Sequence, residues 1–170
     1  MIENSLNFIP FDHVEMDKWR DSLKGGISYL DKDTNLEIYG GVDDIWFDIN
    51  KEELVIVDYK AQSSTALLET ESYLNSPYHE GYKIQMNIYV YILRQMGFKV
   101  SDRVFFMVCN AEKSYEKFDN KLNFTTKLIS YFTDTSKIKN TIFEMKETLE
   151  SKIIPDLNKS CEKCMYLNTG

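Results

Sequence analysis

The sequence contains no long hydrophobic run. None of its apolar segments reaches the roughly 18 residues that a membrane-spanning helix needs. The N-terminal segment MIENSLNFIPFDHVE also lacks the basic region followed by an apolar region that marks a secretory signal peptide. We therefore expect a protein of the cytoplasm that has no membrane partner.

The chain is also short of positive charge. Its formal net charge is −7, whereas proteins that bind nucleic acid usually draw their affinity for phosphate from lysine and arginine. This deficit argues against strong non-specific binding of duplexes by the isolated chain. A local basic strip, bound metal ions or delivery by a protein partner would still bring phosphate groups to it.

Length and patterning predict one domain that spans residues 1–170. A chain of 170 residues, 43% of them apolar, is long enough for one hydrophobic core and too short for two comfortable ones. Short β-branched segments alternate with amphipathic helical ones, which predicts an α/β (α+β) fold with a central mixed sheet flanked by helices.

The segment Gly40–Lys60 is rich in charge, and two of its aspartates could share one small surface patch with its last lysine. The run Leu54–Tyr59 is apolar and rich in β-branched residues, which predicts a strand buried on both faces. Because strand side chains alternate, Asp58 and Lys60 should point to the same face.

The preceding segment, Val42–Ile49, alternates as well, and Asn50–Glu53 is short enough to be a hairpin loop. If its more apolar face packs inward, Asp43 rather than Asp44 lies beside Asp58 and Lys60. A register slip or a β-bulge would exchange the two aspartates.

Such a cluster has two interpretations. Carboxylates suit hard divalent ions such as Mg²⁺, and a lysine beside the ion can orient water or offset charge on a phosphate. Alternatively, the cluster is a solvated hairpin end with a structural ion pair.

The other helices and strands are predicted from hydrophobic periodicity and from capping residues. Ile27–Leu30 and Leu36–Gly40 should form an antiparallel meander with the Asp43 strand. Arg103–Asn110 should pair in parallel with the Asp58 strand, because a helix connects the two. The remaining predictions are a short helix over Met16–Leu23 capped by Asp12, a loop or partly helical lid over Ala61–Ser76, a helix over Pro77–Met96 capped by Ser76, a strand over Lys121–Tyr131 and a helix over Ser136–Lys152.

The helix Pro77–Met96 carries a polar residue in an apolar stripe. Gln85 lies four residues before Tyr89, so both side chains share one face. Gln85 is either a buried glutamine satisfied by the backbone or part of a site. His79 and Lys83, upstream on the same helix, either face solvent or extend that site toward a substrate.

In their order and spacing these residues resemble the PD-(D/E)XK nuclease superfamily, in its RecB-like exonuclease branch, which includes CRISPR-associated nucleases. The likeness rests on a G-V-D segment, a hairpin, a strand ending D-Y-K and a helix with Q-x-x-x-Y. The matching residues are Gly41, Asp43, Asp58, Lys60, Gln85 and Tyr89.

The resemblance implies a restriction-endonuclease-like core and a Mg²⁺- or Mn²⁺-dependent deoxyribonuclease that hydrolyses phosphodiester bonds. Asp43, Asp58 and the Tyr59 carbonyl would bind the ion, and Lys60 would position or activate water. Gln85 and Tyr89 would orient water and phosphate. The substrate partner would be nucleic acid, DNA rather than RNA, and a protein partner or a homo-oligomer is left open.

Relatives often carry a further metal ligand on an early helix, for which His13 and Glu15 are the candidates. Some relatives also hold an iron–sulfur cluster with C-terminal cysteines and one near the N-terminus. Here Cys161 and Cys164 form a candidate thiolate pair, but the chain has only three cysteines and none before Cys109. We therefore do not expect a complete iron–sulfur cluster.

Two alternatives to the nuclease remain open. The first is a catalytically inactive binding or assembly module that keeps the nuclease fold. The acidic net charge, the unassigned third acid and the incomplete cysteine set favour it. The second is an unrelated α/β domain, in which Asp43 and Asp58 would lie far apart.

Overall fold

The protein folds around a five-stranded mixed sheet. A computed structural model describes residues 7–65, 68–113, 120–158 and 160–167. Its strands are β1 (Phe8–Pro10), β2 (Ile27–Asp31), β3 (Leu36–Gly40), β4 (Asp44–Asp48), β5 (Glu53–Gln62), β6 (Arg103–Ala111) and β7 (Phe124–Phe132). Its helices are α1 (Met16–Trp19), α2 (Thr70–Leu74), α3 (Glu80–Gln95), α4 (Ile138–Glu150) and α5 (Glu162–Leu167).

The central sheet has the strand order β1-β4-β5-β6-β7. Strands β5 and β6 are parallel and the other neighbours are antiparallel. The parallel pair requires a crossover, which is made by the chain segment that contains α3. The predicted mixed α/β architecture is confirmed.

Strand β5 is buried on both faces, as its β-branched sequence predicts. Leu54 and Ile56 belong to the main core together with Ile92 and Leu93 of α3. Val55 and Val57 belong to a smaller cluster on the opposite face. The alternation expected of this strand is therefore confirmed.

The predicted meander is wrong at one step. Strands β2 and β3 form a hairpin, but it is a separate two-stranded sheet that does not pair with β4. The connecting residues bind the first helix region instead, because Val42 N donates to the carbonyl of Trp19. A Cβ on Gly41 would lie 3.2 Å from the Arg20 carbonyl, so the two segments are in close contact.

The crossover helix begins later than its sequence pattern predicts. Pro77–His79 form a 3-10 turn that leads into α3, and Ser76 stands before this turn without a side-chain cap. At the other end Gly97 has a φ of 96°, the left-handed conformation that glycine adopts most readily.

The first helix is also shorter than predicted. It ends at Trp19 and is followed by a 3-10 turn, and Glu15 rather than Asp12 is its N-cap residue. In the predicted lid, β5 continues to Gln62 and α2 follows, while residues 66 and 67 lie outside the described ranges.

In the part of the chain that the structure describes, no helix is long and apolar enough to cross a membrane.

Candidate active site

The candidate site lies where β4 begins and β5 ends. Asp43 comes directly before β4, and the pairing of Asp44 with Val57 brings Asp43 beside Asp58. Asp43 Oδ2 accepts a 2.7 Å hydrogen bond from Tyr59 N. The hairpin therefore brings together the two aspartates that the alternation selected, and Asp43 and Asp58 do not lie far apart.

Asp58 is a buried carboxylate with an ion-pair partner. Its side chain is 2% exposed, and its Oδ2 lies 2.6 Å from Lys60 Nζ. The Lys60 ammonium is therefore the charged partner of this buried oxygen. A buried carboxylate is stabilised by neighbouring positive charge, so the Asp58 side chain suits a place where a cation binds.

The two carboxylates repel each other electrostatically. Burial raises the pKa of Asp58, the neighbouring Lys60 ammonium opposes that rise, and the negative charge of Asp43 adds to it. The pKa of Asp58 lies above its ordinary value as a result. A divalent cation between the two groups would relieve both the burial and the repulsion.

Helix α3 supplies a polar chain that ends at the lysine. Lys60 Nζ lies 3.4 Å from Gln85 Oε1, and Gln85 Nε2 lies 2.6 Å from the Tyr89 hydroxyl. Burial raises the pKa of Tyr89, so its hydroxyl stays protonated near neutral pH. The structure thus brings Lys60, Gln85 and Tyr89 together at one edge of the site.

One site contact was missed by sequence reasoning. Lys60 Nζ lies 4.3 Å from the ring centroid of Tyr82, a cation–π contact. Tyr82 lies one turn before Gln85 in the apolar stripe of the helix, a pattern that by itself predicts core packing. Its position three residues before Gln85 is the signal that could have identified it.

The two upstream candidates, His79 in the 3-10 turn and Lys83 in α3, have other contacts. His79 stacks on Tyr82 at a centroid distance of 5.2 Å, and its Nδ1 lies 2.7 Å from the carbonyl oxygen of Tyr73. Lys83 Nζ forms a 2.6 Å ion pair with Glu80. His79 therefore supports the ring under Lys60, and contact of either residue with a substrate stays a prediction.

His13 and Glu15 are placed in local contacts. His13 stacks on Trp19 at 4.3 Å and accepts a hydrogen bond from Glu15 N, while Glu15 pairs with Lys18 at 3.3 Å. Across the described ranges no three histidine, cysteine or acidic side chains form a group that could hold a metal. The structure therefore does not bring His13 or Glu15 to Asp43 and Asp58 as a third ligand.

Two carboxylates are nevertheless a suitable donor set for a hard ion. Mg²⁺ is usually held by one or two carboxylates, with waters and substrate phosphates completing its shell. Asp43 and Asp58 meet that requirement, and the backbone carbonyl of Tyr59 lies between Asp58 and Lys60 in the chain. The residues present therefore fit Mg²⁺ or Mn²⁺.

The candidate thiolate pair stands at the start of α5. Cys164 N lies 3.4 Å from Cys161 Sγ. Hydrogen bonding from the Cys164 thiol lowers the pKa of Cys161 and raises that of Cys164 itself. Within the residues described no further metal ligands accompany the pair, so the two thiols would supply only two of the four ligands of a closed site.

The structure is a mixed sheet flanked by helices, and the acidic site residues lie where the antiparallel hairpin meets the parallel strand pair. This arrangement defines a restriction-endonuclease-like α/β protein. The family model of the PD-(D/E)XK nuclease superfamily matches residues 4–169, and the chain belongs to that superfamily. Its members are generally nucleases that use divalent metals such as Mg²⁺. A comparison with curated proteins finds no match.

Proposed function

We propose that this chain is a Mg²⁺- or Mn²⁺-dependent nuclease that hydrolyses phosphodiester bonds of DNA. The observation that carries the proposal is the convergence of Asp43, the buried Asp58 and Lys60 at the end of one hairpin. The order and spacing of these residues with Gln85 and Tyr89 support the RecB-like branch of the superfamily.

In this proposal Asp43 and Asp58 bind the ion, with the Tyr59 carbonyl as a further oxygen donor. A divalent ion supplies Lewis acidity and a more acidic bound water. Lys60 Nζ, held by the Tyr82 ring and Gln85, donates hydrogen bonds to the attacking water or to the phosphate as its charge grows. The amide of Gln85 and the hydroxyl of Tyr89 orient water and phosphate oxygen.

Cleavage of labelled DNA with and without Mg²⁺ tests the assignment. We expect Asp58→Ala and Lys60→Ala to lower the rate by at least about 10²-fold, the usual cost of losing one preorganised electrostatic group. A matched acid and lysine lie on α4, where Lys146 and Glu150 form an exposed ion pair. Lys146→Ala and Glu150→Ala should cleave at the original rate.

Cleavage that persists unchanged in both site variants contradicts this assignment. Parallel assays on RNA, and on single- and double-stranded DNA, identify the preferred substrate. Salt dependence of binding reports how many phosphates the acidic chain contacts.

A non-catalytic binding module is the second candidate, and one observation favours it. In the described residues no third acid or histidine joins Asp43 and Asp58 in a group that could hold a metal. Calorimetry with Mn²⁺ separates the two candidates. Saturable binding that Asp43→Ala abolishes supports the nuclease, whereas no binding supports the module.

A further inference from the structure

Asp44 follows Asp43 in the chain but lies in a different environment. Its carboxylate accepts hydrogen bonds from three side chains and one backbone amide. The donors are Arg20 Nη2 at 2.7 Å, the Tyr59 hydroxyl at 2.8 Å, Trp46 Nε1 at 3.1 Å and Ile45 N at 3.0 Å. Asp44 and Trp46 share the face of β4 opposite to that of Ile45, which belongs to the main core.

The Asp44 carboxylate is mostly buried. Its side chain is 13% exposed. Both of its oxygens have donors: Oδ1 accepts from Arg20 and Ile45, and Oδ2 accepts from Tyr59 and Trp46. Asp44 is therefore a fixed negative anchor rather than a spare ligand with free oxygens.

Tyr59 connects this anchor to the candidate site. Its hydroxyl is held by Asp44, and its backbone amide donates to Asp43 Oδ2. It also stands between Asp58 and Lys60 in β5. A shift of Tyr59 would move its backbone amide, which orients Asp43. It would also move the neighbouring backbone, which carries Asp58 and Lys60.

We infer that Arg20, Asp44 and Tyr59 form a positioning network that holds the Asp43 carboxylate and the Tyr59 carbonyl ready for a divalent ion. This inference rests on the proposed function, since it concerns the same metal site. The three side chains act through the backbone and carboxylate that they orient. Outer-shell partners of metal ligands commonly change metal affinity 10- to 100-fold.

The first test is the charge-neutral variant Tyr59→Phe. It keeps the ring and removes only the hydroxyl that Asp44 holds. We expect the Kd for Mn²⁺, measured by calorimetry on the full chain, to weaken about tenfold, the lower end of the outer-shell range. Because Tyr59 is 47% exposed, the thermal midpoint without metal should stay near that of the original chain. Tyr39→Phe, at an exposed tyrosine of β3, is the matched control and should leave the Kd unchanged.

The second test separates positioning from a simple charge effect. Arg20→Gln removes a positive charge near the site. A charge effect alone would strengthen Mn²⁺ binding, whereas loss of positioning weakens it. Lys24→Gln removes an exposed positive charge that pairs with Asp21 instead and serves as the control. We expect weaker binding in Arg20→Gln and no weakening in Lys24→Gln.

The outcomes distinguish this inference from the proposed function. Mn²⁺ binding to the original chain that is unchanged in Tyr59→Phe, or tightened in Arg20→Gln, overturns the positioning network alone. No Mn²⁺ binding to the original chain overturns the proposed function, and the network falls with it. Weaker binding in both variants, each of which keeps a cooperative thermal unfolding transition, supports the network.

Discussion

At the scale of single residues, the arrangement of the candidate site depends on close contact between the Gly40 backbone and the Tyr89 side chain. Gly40 ends β3, and a Cβ at this position would lie 2.5 Å from Tyr89 Cε1. Tyr89 is only 7% exposed, so its ring has little room to move away. The missing side chain at Gly40 therefore allows the tyrosine to reach Gln85.

We expect Gly40→Ala to lower the free energy of unfolding by about 1–3 kcal/mol, the usual cost of overpacking a core. Urea titration measures this change. The displaced ring should also weaken the Gln85–Tyr89 hydrogen bond, which would lower any Mg²⁺-dependent cleavage rate.

Gly81 offers the matched control. It stands in the first turn of α3, where an added Cβ would meet nothing within 4 Å. Gly81→Ala should stabilise the protein by about 0.5–1 kcal/mol through helix propensity and lower unfolded-state entropy. Equal stabilities of Gly40→Ala and the original chain would show that Tyr89 is free to move.

At the scale of elements, the ends of β5 and β6 are tied together by one amide. Asn110 is 8% exposed, its Oδ1 accepts a 2.8 Å hydrogen bond from Ser64 N, and its Nδ2 donates to the Ser64 carbonyl at 3.0 Å. Both bonds fix the chain where it leaves β5, a few residues after Lys60. The segment that follows the lysine is therefore anchored to the neighbouring parallel strand.

Asn110→Ala should release this anchor. Loss of the buried amide removes both hydrogen bonds to the Ser64 backbone, which costs about 1–3 kcal/mol of unfolding free energy. Faster hydrogen exchange of the Ser64 amide would locate the change. Asn140→Ala, at an exposed position of α4, should stay within about 0.5 kcal/mol of the original chain. An unaltered Ser64 exchange rate in Asn110→Ala would contradict the anchoring role.

At the scale of the whole molecule, a long-range ion pair joins α4 to the β2–β3 hairpin. Lys139 Nζ lies 2.6 Å from Asp31 Oδ2 and 2.7 Å from Asp33 Oδ2, and the Asp31 side chain is fully buried. The hydrogen bond from Lys139 lowers the pKa of Asp31, against the opposing effect of burial. The contact connects residues 108 positions apart in the chain.

This pair predicts a pH dependence of stability. Because the pKa of Asp31 is lower in the folded chain than in the unfolded one, its contribution is fully present above the ordinary value of 3.8. The contribution disappears as the pH falls through the lower, folded-state pKa. Lys139→Gln should therefore have a lower free energy of unfolding than the original chain near neutral pH. This difference in free energy should become smaller below about pH 4.

Urea unfolding across this pH range measures the margin. Lys146→Gln, which breaks an exposed ion pair on the same helix, should show a much smaller difference near neutral pH. A margin for Lys139→Gln that stayed constant down to acid pH would mean that Asp31 does not carry the effect.

Local sequence patterns were sufficient to predict much of this architecture. The β-branched run of β5, the alternation of β4 and the long amphipathic period of α3 each depend on neighbouring residues, so their types and approximate bounds could be predicted. Asp43 was selected over Asp44 by the same alternation. The cap of α1 and the start of α3 were less predictable, because several polar residues compete at each end.

The sequence by itself determined the mixed α/β class, the buried strand ending in Asp58 and Lys60, and the shared face of Gln85 and Tyr89. Only the tertiary structure decided that the β2–β3 hairpin leaves the main sheet, that Tyr82 lies against Lys60, and that Asp44 binds Arg20 and Tyr59. These contacts join segments far apart in the chain, and they depend on which surfaces pack together. Local periodicity contains no information about which surfaces pack together, because this depends on the packing of the whole core.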